Sequence, residues 1–470
     1  MKKEHNMLRT VRMIEQERDK YVGQEITVEG WVKTNRAQKK FGFIQFTDGT
    51  FFTPLQIVYT ETLENFGLLS KLGVASAVRA TGTLIATPEA NQPYEMQATT
   101  IEVLADTPSD YPLQPKRHSR EFLREIAHLR PRTNLFQAVF RIRSLASFAV
   151  HTFFQERNFV YVNTPIITAS DAEGAGETFT LTTLDLDKAH VDSTGVADYS
   201  ADFFGKKASL AVTGQLEGEA FALAFRDIYT FGPTFRAENS HTSRHAAEFW
   251  MIEPEMAFAD LTLNMDCAEA MVKFIVQYML EHAKIELEFL NKFVDKTLLE
   301  RLQVLLDSEF PRVTYTEAIA ILEQAPVKFE HAVSWGIDLA SEHERYLTDE
   351  VYGKPIFLTD YPTEIKAFYM QLNDADDGKT VAAMDLLVPG IGELIGGSAR
   401  EHRVEKLQEK MAIFDIDAEE LKWYLEINRY GGVPHAGFGL GFERLIMYLT
   451  GVENIRDVIP FPRTPNNLEF

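Results

Sequence analysis

The first folded part of the chain has a hydrophobic period of two. Between about residue 24 and residue 104, short runs alternate apolar and polar positions: ITVEGWV, FGFIQFTDG, FTPLQIVY, AVRATGTLI and YEMQATTIEVL. Such alternation suits strands with one buried face, and the Gly, Asn, Pro and Asp residues between the runs mark turns. Five short strands in so small a span predict a closed barrel. DTPSDYPLQPKRHS, with Pro108, Pro112 and Pro115, then reads as a linker. After it the period lengthens. RTNLFQAVFRIRSLASFAVHTFFQERNF brings Leu135, Phe136, Val139, Phe140, Leu145 and Phe148 near one helical face. Longer strand candidates follow in FVYVNTPIIT, ETFTLTT, ASLAVTG, DIYTFGPTF and AEFWMIEPEMAF. A helical stretch from about Asp266 to Leu306 interrupts them, and KAFYMQL and VAAMDLLVP resume the strand pattern. Strands in runs, without strict alternation with helices, predict an α+β fold on an antiparallel sheet flanked by helices. The expected division is a barrel over 1–105, a linker over 106–130 and a large domain over 131–470, with a helical insertion at about 266–345.

Composition narrows the class. The 470 residues are 45% hydrophobic and 25% charged, which is ordinary for a globular chain. No apolar run reaches the roughly 18 residues of a membrane span. The start, MKKEHNMLRTVRMIEQERDK, lacks the apolar core of a signal peptide. The single cysteine, Cys267, excludes an intrachain disulfide framework and a cysteine-based zinc site. These features predict a cytoplasmic protein with no membrane partner. A net charge of −22 weighs against non-specific coating of nucleic acid but leaves room for local basic surfaces. Two exist: KTNRAQKK, with Lys33, Arg36, Lys39 and Lys40, and KRHSREFLREIAHLRPR. A five-stranded barrel beside a basic stretch matches the oligonucleotide-binding type.

Three stretches carry candidate chemistry. FRAENSHTSRHAAEFWMIEPE reads as strand, loop, strand, with Arg236 and Glu238 two apart, Phe249 exposed, and Glu253 and Glu255 two apart on the returning strand. An arginine, carboxylates and a ring on one sheet face could grip a nucleotide, the arginine on phosphate and the ring on the base. They could equally form a cross-strand ladder of ion pairs. MDLLVPGIGELIGGSAREHR adds Asp385, Glu393 and Arg400 around a Pro-Gly turn. Acids beside phosphate-gripping arginines suit Mg²⁺, which takes a few carboxylates plus substrate phosphates. GFGLGFERLIMYLTG sets Glu443 and Arg444 at the buried start of an apolar helix, behind glycines that permit close backbone approach or positive φ. An arginine there is costly unless an anion meets it, and a phosphate would serve.

Taken together, the pieces of this sequence resemble the class II aminoacyl-tRNA synthetases, within them the asparaginyl and aspartyl branch, whose three signature motifs occur in order. The first motif is similar to the helix ending in RNFVYVNTPIIT, the second to FRAE through EFWMIEPE, and the third to GFGLGFER. The block YGGVPHAGFGLGFERLIMYLTGVENIRDVIPFPRTP extends the likeness, which covers nearly the whole chain. The resemblance implies an ATP- and Mg²⁺-dependent ligase that activates an amino acid and passes it to tRNA. It assigns Arg236 to the α-phosphate, Arg444 to the γ-phosphate and Phe249 to adenine, with Glu238 also at ATP. It gives Asp385 and Glu393 to Mg²⁺; the turn PGIGE is one residue longer than in aspartyl relatives, which makes Asp385 the less secure of the two. Glu173 and Glu253 would meet the substrate's α-ammonium group, Gln215 would line the amino-acid pocket, and Arg400 would reach the side-chain oxygen. Phe43, Gln56 and Arg36 of the barrel would contact the anticodon. Pro165 would lie at a homodimer interface.

The substrate side chain turns on one position. Aspartyl relatives carry a lysine three places after the glutamine of this pocket motif; here the run is Gln215, Leu216, Glu217, Gly218, Glu219. A carboxylate on this strand accepts a hydrogen bond from an amide and repels an aspartate. Glu219 is therefore the expected amide reader, with Glu217 on the other face, and the expected partners are asparagine, ATP and tRNA(Asn). Aspartate is the alternative substrate. A synthetase-like ligase that makes free asparagine is a more distant one, disfavoured by the barrel.

Overall fold

Strand β1 (Glu25–Ala37) curves across the first unit of the chain, which spans Met1–Ala138; the second spans Val139–Phe470. The computed structural model describes residues 8–90, 92–169, 178–188, 190–191, 195–240 and 242–470. With β2 (Phe41–Thr47), β3 (Leu55–Thr60), β4 (Ala77–Ala86) and β5 (Tyr94–Ala105), β1 closes a barrel in the order β1-β2-β3-β5-β4. Alternate residues, among them Val28, Val32, Ile44, Phe46, Ile57, Val78, Leu84 and Met96, fill its interior. A bulge between Val32 and Thr34 shifts the inward parity of β1. Beyond it Asn35 points inward, accepting from the Tyr59 hydroxyl at 2.9 Å, while Arg36 pairs with Phe43 on the outer face.

The second unit carries β6 (Val160–Tyr161), β7 (Ile167–Thr168), β8 (Thr180–Leu181), β9 (Ala208–Leu210), β10 (Asp227–Phe235), β11 (Glu248–Ala257), β12 (Arg312–Thr314), β13 (Ile356–Pro362), β14 (Thr380–Val388), β15 (Gly392–Ala399) and β16 (His435–Gly441). Eight of them form one sheet in the order β12-β13-β14-β15-β16-β11-β10-β6. Its interior pairings from β13 to β10 are antiparallel, as expected, but both edge pairs, β12–β13 and β10–β6, are parallel, so the sheet is mixed. Strands β7, β9 and β8 make a small separate sheet. Helices Gln215–Phe225, Leu261–His282 and Phe442–Thr450 pack on the large sheet.

Several local expectations change. KAFYMQL forms no strand and contributes only the bridging residues Met370 and Leu372. The helix Asn134–Gln155 buries Phe136, Val139, Ile142, Ala146, Ala149, Val150 and Phe153, and leaves Phe148, expected on that stripe, 61% exposed. Most consequential, the run beginning at Gln215 is a helix, Gln215–Phe225, and not a strand. On a strand Glu217 and Glu219 would share a face; on a helix the residues that share one are Gln215 and Glu219, four apart.

Gly82 of β4 marks a close approach of backbones. A Cβ there would collide with the Gln97 carbonyl and lie 2.7 Å from Ala98 Cα on β5. Gly82→Ala should destabilise the barrel by about 1–3 kcal/mol, as overpacking does, read as a lowered thermal midpoint; an unchanged midpoint would show that the strands can part freely.

Candidate active site

The floor of the site is made by residues without side chains. In β16, Gly437, Gly439 and Gly441 alternate with the buried Phe438 and Leu440. A Cβ at Gly437 would fall on the Glu255 carboxyl group, and one at Gly439 would sit 2.6 Å from Met251. None of the three has positive φ. Gly437 and Gly439 are therefore needed for lateral room, so that Glu255 and Met251 of β11 can lie across the neighbouring strand. A cavity of about 300 Å³ opens above this floor, lined among others by Gln215, Arg236, Glu238, Phe249, Glu253, Glu255, Asp385, Glu393, Arg400 and Arg444. Ten residues drawn from separated parts of the sequence thus meet in one place.

At the nucleotide end, Arg236 and Glu238 lie just past the end of β10, not on the strand as expected; the Arg236 N–H still continues the ladder to the Ala247 carbonyl at 3.0 Å. The Arg236 guanidinium sits 5.5 Å from the centre of the Phe249 ring. Glu443 and Arg444 at the start of the last α-helix both border the cavity but take different partners. Glu443 is buried and accepts from Arg143 at 2.7 Å and from the Trp250 N–H at 2.9 Å. Arg444 reaches the cavity and donates at 3.1 Å to both the carbonyl and the carboxylate of Glu393.

Asp385 and Glu393 converge. A Cβ on Gly396 would lie 3.3 Å from an Asp385 oxygen and 3.0 Å from a Glu393 oxygen. The extra residue noted in the turn is absorbed within β15: Leu386 pairs with Ile395 and Leu387 with Glu393, which leaves Leu394 as a bulge. Without the bulge, strand parity would turn Glu393 away from Gly396. The convergence supports Asp385 as much as Glu393. Lys366, which drew no notice in the sequence, donates to Asp385 at 3.0 Å. Burial raises the Asp385 pKa against the pull of Lys366, whereas Arg444 and Lys366 outweigh burial and lower that of Glu393. Nearby Glu344 is pushed up to about 7 by burial and by the Glu393 and Asp385 charges. Two carboxylates over a side-chain-free residue, beside arginines suited to phosphate, fit a hard divalent cation whose other ligands would be phosphate oxygens and water.

The opposite end holds a buried charge network. Arg400 binds Glu255 at 2.5 and 3.1 Å, and Glu219 stands 3.9 Å from its Nε. Both Glu219 oxygens are occupied: Gln215 donates at 2.9 Å, the Tyr424 hydroxyl at 2.7 Å, and His435 Nε2 lies at 2.9 Å. Glu219 is fully buried and does not line the cavity; Glu255 does. Burial pushes Glu255 up to about 7 against the field of Arg400. Glu253 accepts from Thr213, from the Gly214 N–H at 3.1 Å and from Thr230 at 2.9 Å, so it also fixes the entry to the helix. Gly218, at the position of the aspartyl lysine, packs against the sheet: its Cβ would be 3.4 Å from Ile228 and 3.8 Å from Glu255.

Other expected residues lie elsewhere. Phe43 and Gln56 are half-buried on the outer face of the barrel, and Arg36 is exposed beside Phe43. Pro165 is exposed after edge strand β6. Glu173 lies outside the described residues. Lys366, Tyr369, Arg244 and His245 line the cavity without having been singled out as site residues. Lys366 and Tyr369 sit in an irregular segment whose sequence looks like a strand, and only the fold brings them over the sheet.

Residues 119–465 match the family described as tRNA synthetases class II (D, K and N), and residues 26–104 match the OB-fold nucleic acid binding domain. The asparagine–tRNA ligase of Alkaliphilus oremlandii is 62% identical over 98% of this chain and 99% of its own, and that of Clostridium tetani is 59% identical with the same coverage. The crystal structure of asparaginyl-tRNA synthetase from Pyrococcus horikoshii complexed with asparaginyl-adenylate matches with a TM-score of 0.86 at 33% identity, covering 99% of this chain and 100% of that one. The chain belongs to the class II aminoacyl-tRNA synthetases of the D, K and N group, and within that group to the asparagine–tRNA ligases.

Proposed function

We propose that the chain joins L-asparagine to tRNA(Asn) in two steps. In the first, a carboxylate oxygen of asparagine attacks the α-phosphorus of ATP; the bond from that phosphorus to the bridging oxygen breaks, giving asparaginyl-adenylate and pyrophosphate. In the second, a ribose hydroxyl of the terminal adenosine of the tRNA attacks the activated carbonyl and AMP leaves. The adenylate held by the Pyrococcus horikoshii relative supports the first step. The protein's work is mainly positioning and charge neutralisation. Arg236 meets the α-phosphate, Arg444 the γ-phosphate, and Phe249 and Glu238 the adenosine. Asp385 and Glu393 would hold Mg²⁺, which when bound draws charge from the phosphates. Glu253 and Gln215 line the amino-acid end, and Glu173 remains assigned to the ammonium group by resemblance.

The observation that carries the choice of amino acid is the Arg400–Glu255 pair facing the cavity, with glycine, which offers no second cation, at position 218. An amide presents its carbonyl to Arg400 and its NH₂ to Glu255, so both charges find partners. An aspartate side chain would set a carboxylate against Glu255, and a dry site built for a donor rejects such an isostere by roughly 10⁴-fold. This reading moves the amide acceptor from Glu219 to Glu255; Glu219 anchors Gln215, Tyr424 and His435 behind it.

The outer barrel face with Arg36, Phe43 and Gln56 suits unstacked anticodon bases, which pair a ring with base edges. A homodimer is supported by the apolar edge at β6, where Val160, Tyr161, Ile166 and Ile167 are each 36–44% exposed near Pro165. Contiguous exposed apolar groups mark an interaction surface. The cytoplasm is the compartment proposed for this activity.

ATP–pyrophosphate exchange with a single amino acid tests the function: exchange with asparagine and none with aspartate is expected, and exchange with aspartate would overturn the pocket reading. Glu255→Gln should lower kcat/KM for asparagine by on the order of 10²-fold, the loss of a charged hydrogen bond, and narrow the preference over aspartate. Glu219→Gln with the larger effect on that preference would return the reading role to Glu219. The network also sets a pH dependence. Burial disfavours charge on His435, but Glu219 outweighs it and raises the pKa. Stability from this pair is then full below the ordinary histidine value of about 6.5 and lost as pH rises through the higher folded value. The thermal midpoint should fall on that alkaline side, and His435→Gln should flatten the fall; parallel profiles would remove His435 as its source.

A further inference from the structure

The bulged hairpin that carries Asp385 and Glu393 is gripped from outside the sheet by one short segment, which runs through the helix Ser341–Arg345 into the π-helical turn Tyr346–Tyr352. Glu344 accepts the backbone N–H of Glu393 at 3.1 Å. Asp349 accepts the N–H of Gly390, in the hairpin turn, at 3.0 Å. From the other side, Arg244 of the loop after Arg236 donates to the Ser341 hydroxyl at 3.0 Å. Gly392 leaves room for this grip, since a Cβ there would strike the Glu344 carboxylate. One segment thus touches the acidic hairpin twice and the phosphate-side loop once. The bulge at Leu394 breaks the regular ladder beside Glu393, and there the Glu393 N–H is taken by Glu344.

We propose that Glu344 is a positioning residue for Mg²⁺: by holding the Glu393 N–H it keeps the bulge turned so that the Glu393 and Asp385 carboxylates meet over Gly396. The segment containing Ser341 and Asp349 acts with it as a brace between hairpin and phosphate loop. The proposal rests on the reading of Asp385 and Glu393 as the metal carboxylates. Groups that orient a metal ligand commonly change metal affinity by about 10–100-fold when removed.

The test is Mn²⁺ binding by electron paramagnetic resonance on the full chain with ATP, alongside the Mg²⁺ dependence of pyrophosphate exchange. Glu344→Ala should weaken Mn²⁺ binding about tenfold and raise the Mg²⁺ needed for half-maximal exchange by a similar factor. The KM for asparagine should move less than about twofold, because the amino-acid end is untouched. Glu344→Gln, whose amide oxygen still accepts from Glu393, should fall between. Mn²⁺ affinity in Glu344→Ala within about twofold of the unaltered chain overturns the proposal, as does an equal rise in the asparagine KM, the mark of general damage. Should Glu344→Ala fail to fold, Glu344→Gln and Asp349→Ala carry the test, and unchanged Mn²⁺ affinity in both overturns it. Glu393→Gln separates the two readings. If it leaves Mn²⁺ binding intact, the metal assignment itself falls; if it abolishes binding while Glu344→Ala does not weaken it, only the brace falls.

Discussion

The contact between Arg400 and Glu255 constrains the second unit more than any other. It sits in the middle of an eight-stranded sheet, nearly without solvent, and joins β11 to the end of β15 across β16. A buried ion pair adds little net stability against a hydrophobic isostere, yet losing one member costs about 3–5 kcal/mol. The surroundings show how the charges are tolerated. Glu219 and His435 supply a second opposed pair, and Gln215 and Tyr424 complete the hydrogen bonds. The strand between must be glycine where Glu255 crosses it. Pocket, network and glycine face are therefore one requirement, and the helix that carries Gln215 and Glu219 is held by it.

The sequence made some of this legible and hid some. The barrel was readable because one buried face writes a period of two into its strands. The residues that meet at the cavity were readable because glycine, arginine and acidic residues occur where an ordinary core has no use for them. The helix at Gln215 was not. Its residues Leu216, Gly218 and Ala222 are buried together with Gln215 and Glu219, so no polar face signals a helical period. Glu219 of that helix is satisfied by Tyr424 and His435, over two hundred residues away, which no local pattern can announce. The same holds for Lys366, whose partner Asp385 lies beyond an irregular segment.

The glycines at Gly437 and Gly439 illustrate a second limit. Glycine in sequence suggests backbone freedom, yet these residues have ordinary extended backbone and are required for the space of others. The physical cause lies on β11, where Met251 and Glu255 lean across the sheet. Only the folded sheet reveals which side chains the glycines admit: Glu255 over Gly437, its register partner, and Met251 over Gly439.

The bulge at Leu394 bears on how this hairpin can vary over generations. Chain length in the turn and side-chain direction in the strand are coupled there, because the extra residue does not lengthen a loop but reverses a face. Losing one residue between Val388 and Gly392 would therefore be no harmless shortening. It would rotate an acidic group toward the hydrophobic underside of the sheet unless a compensating insertion restored the count. The interval between its two acids is therefore a poor ruler for aligning distant chains.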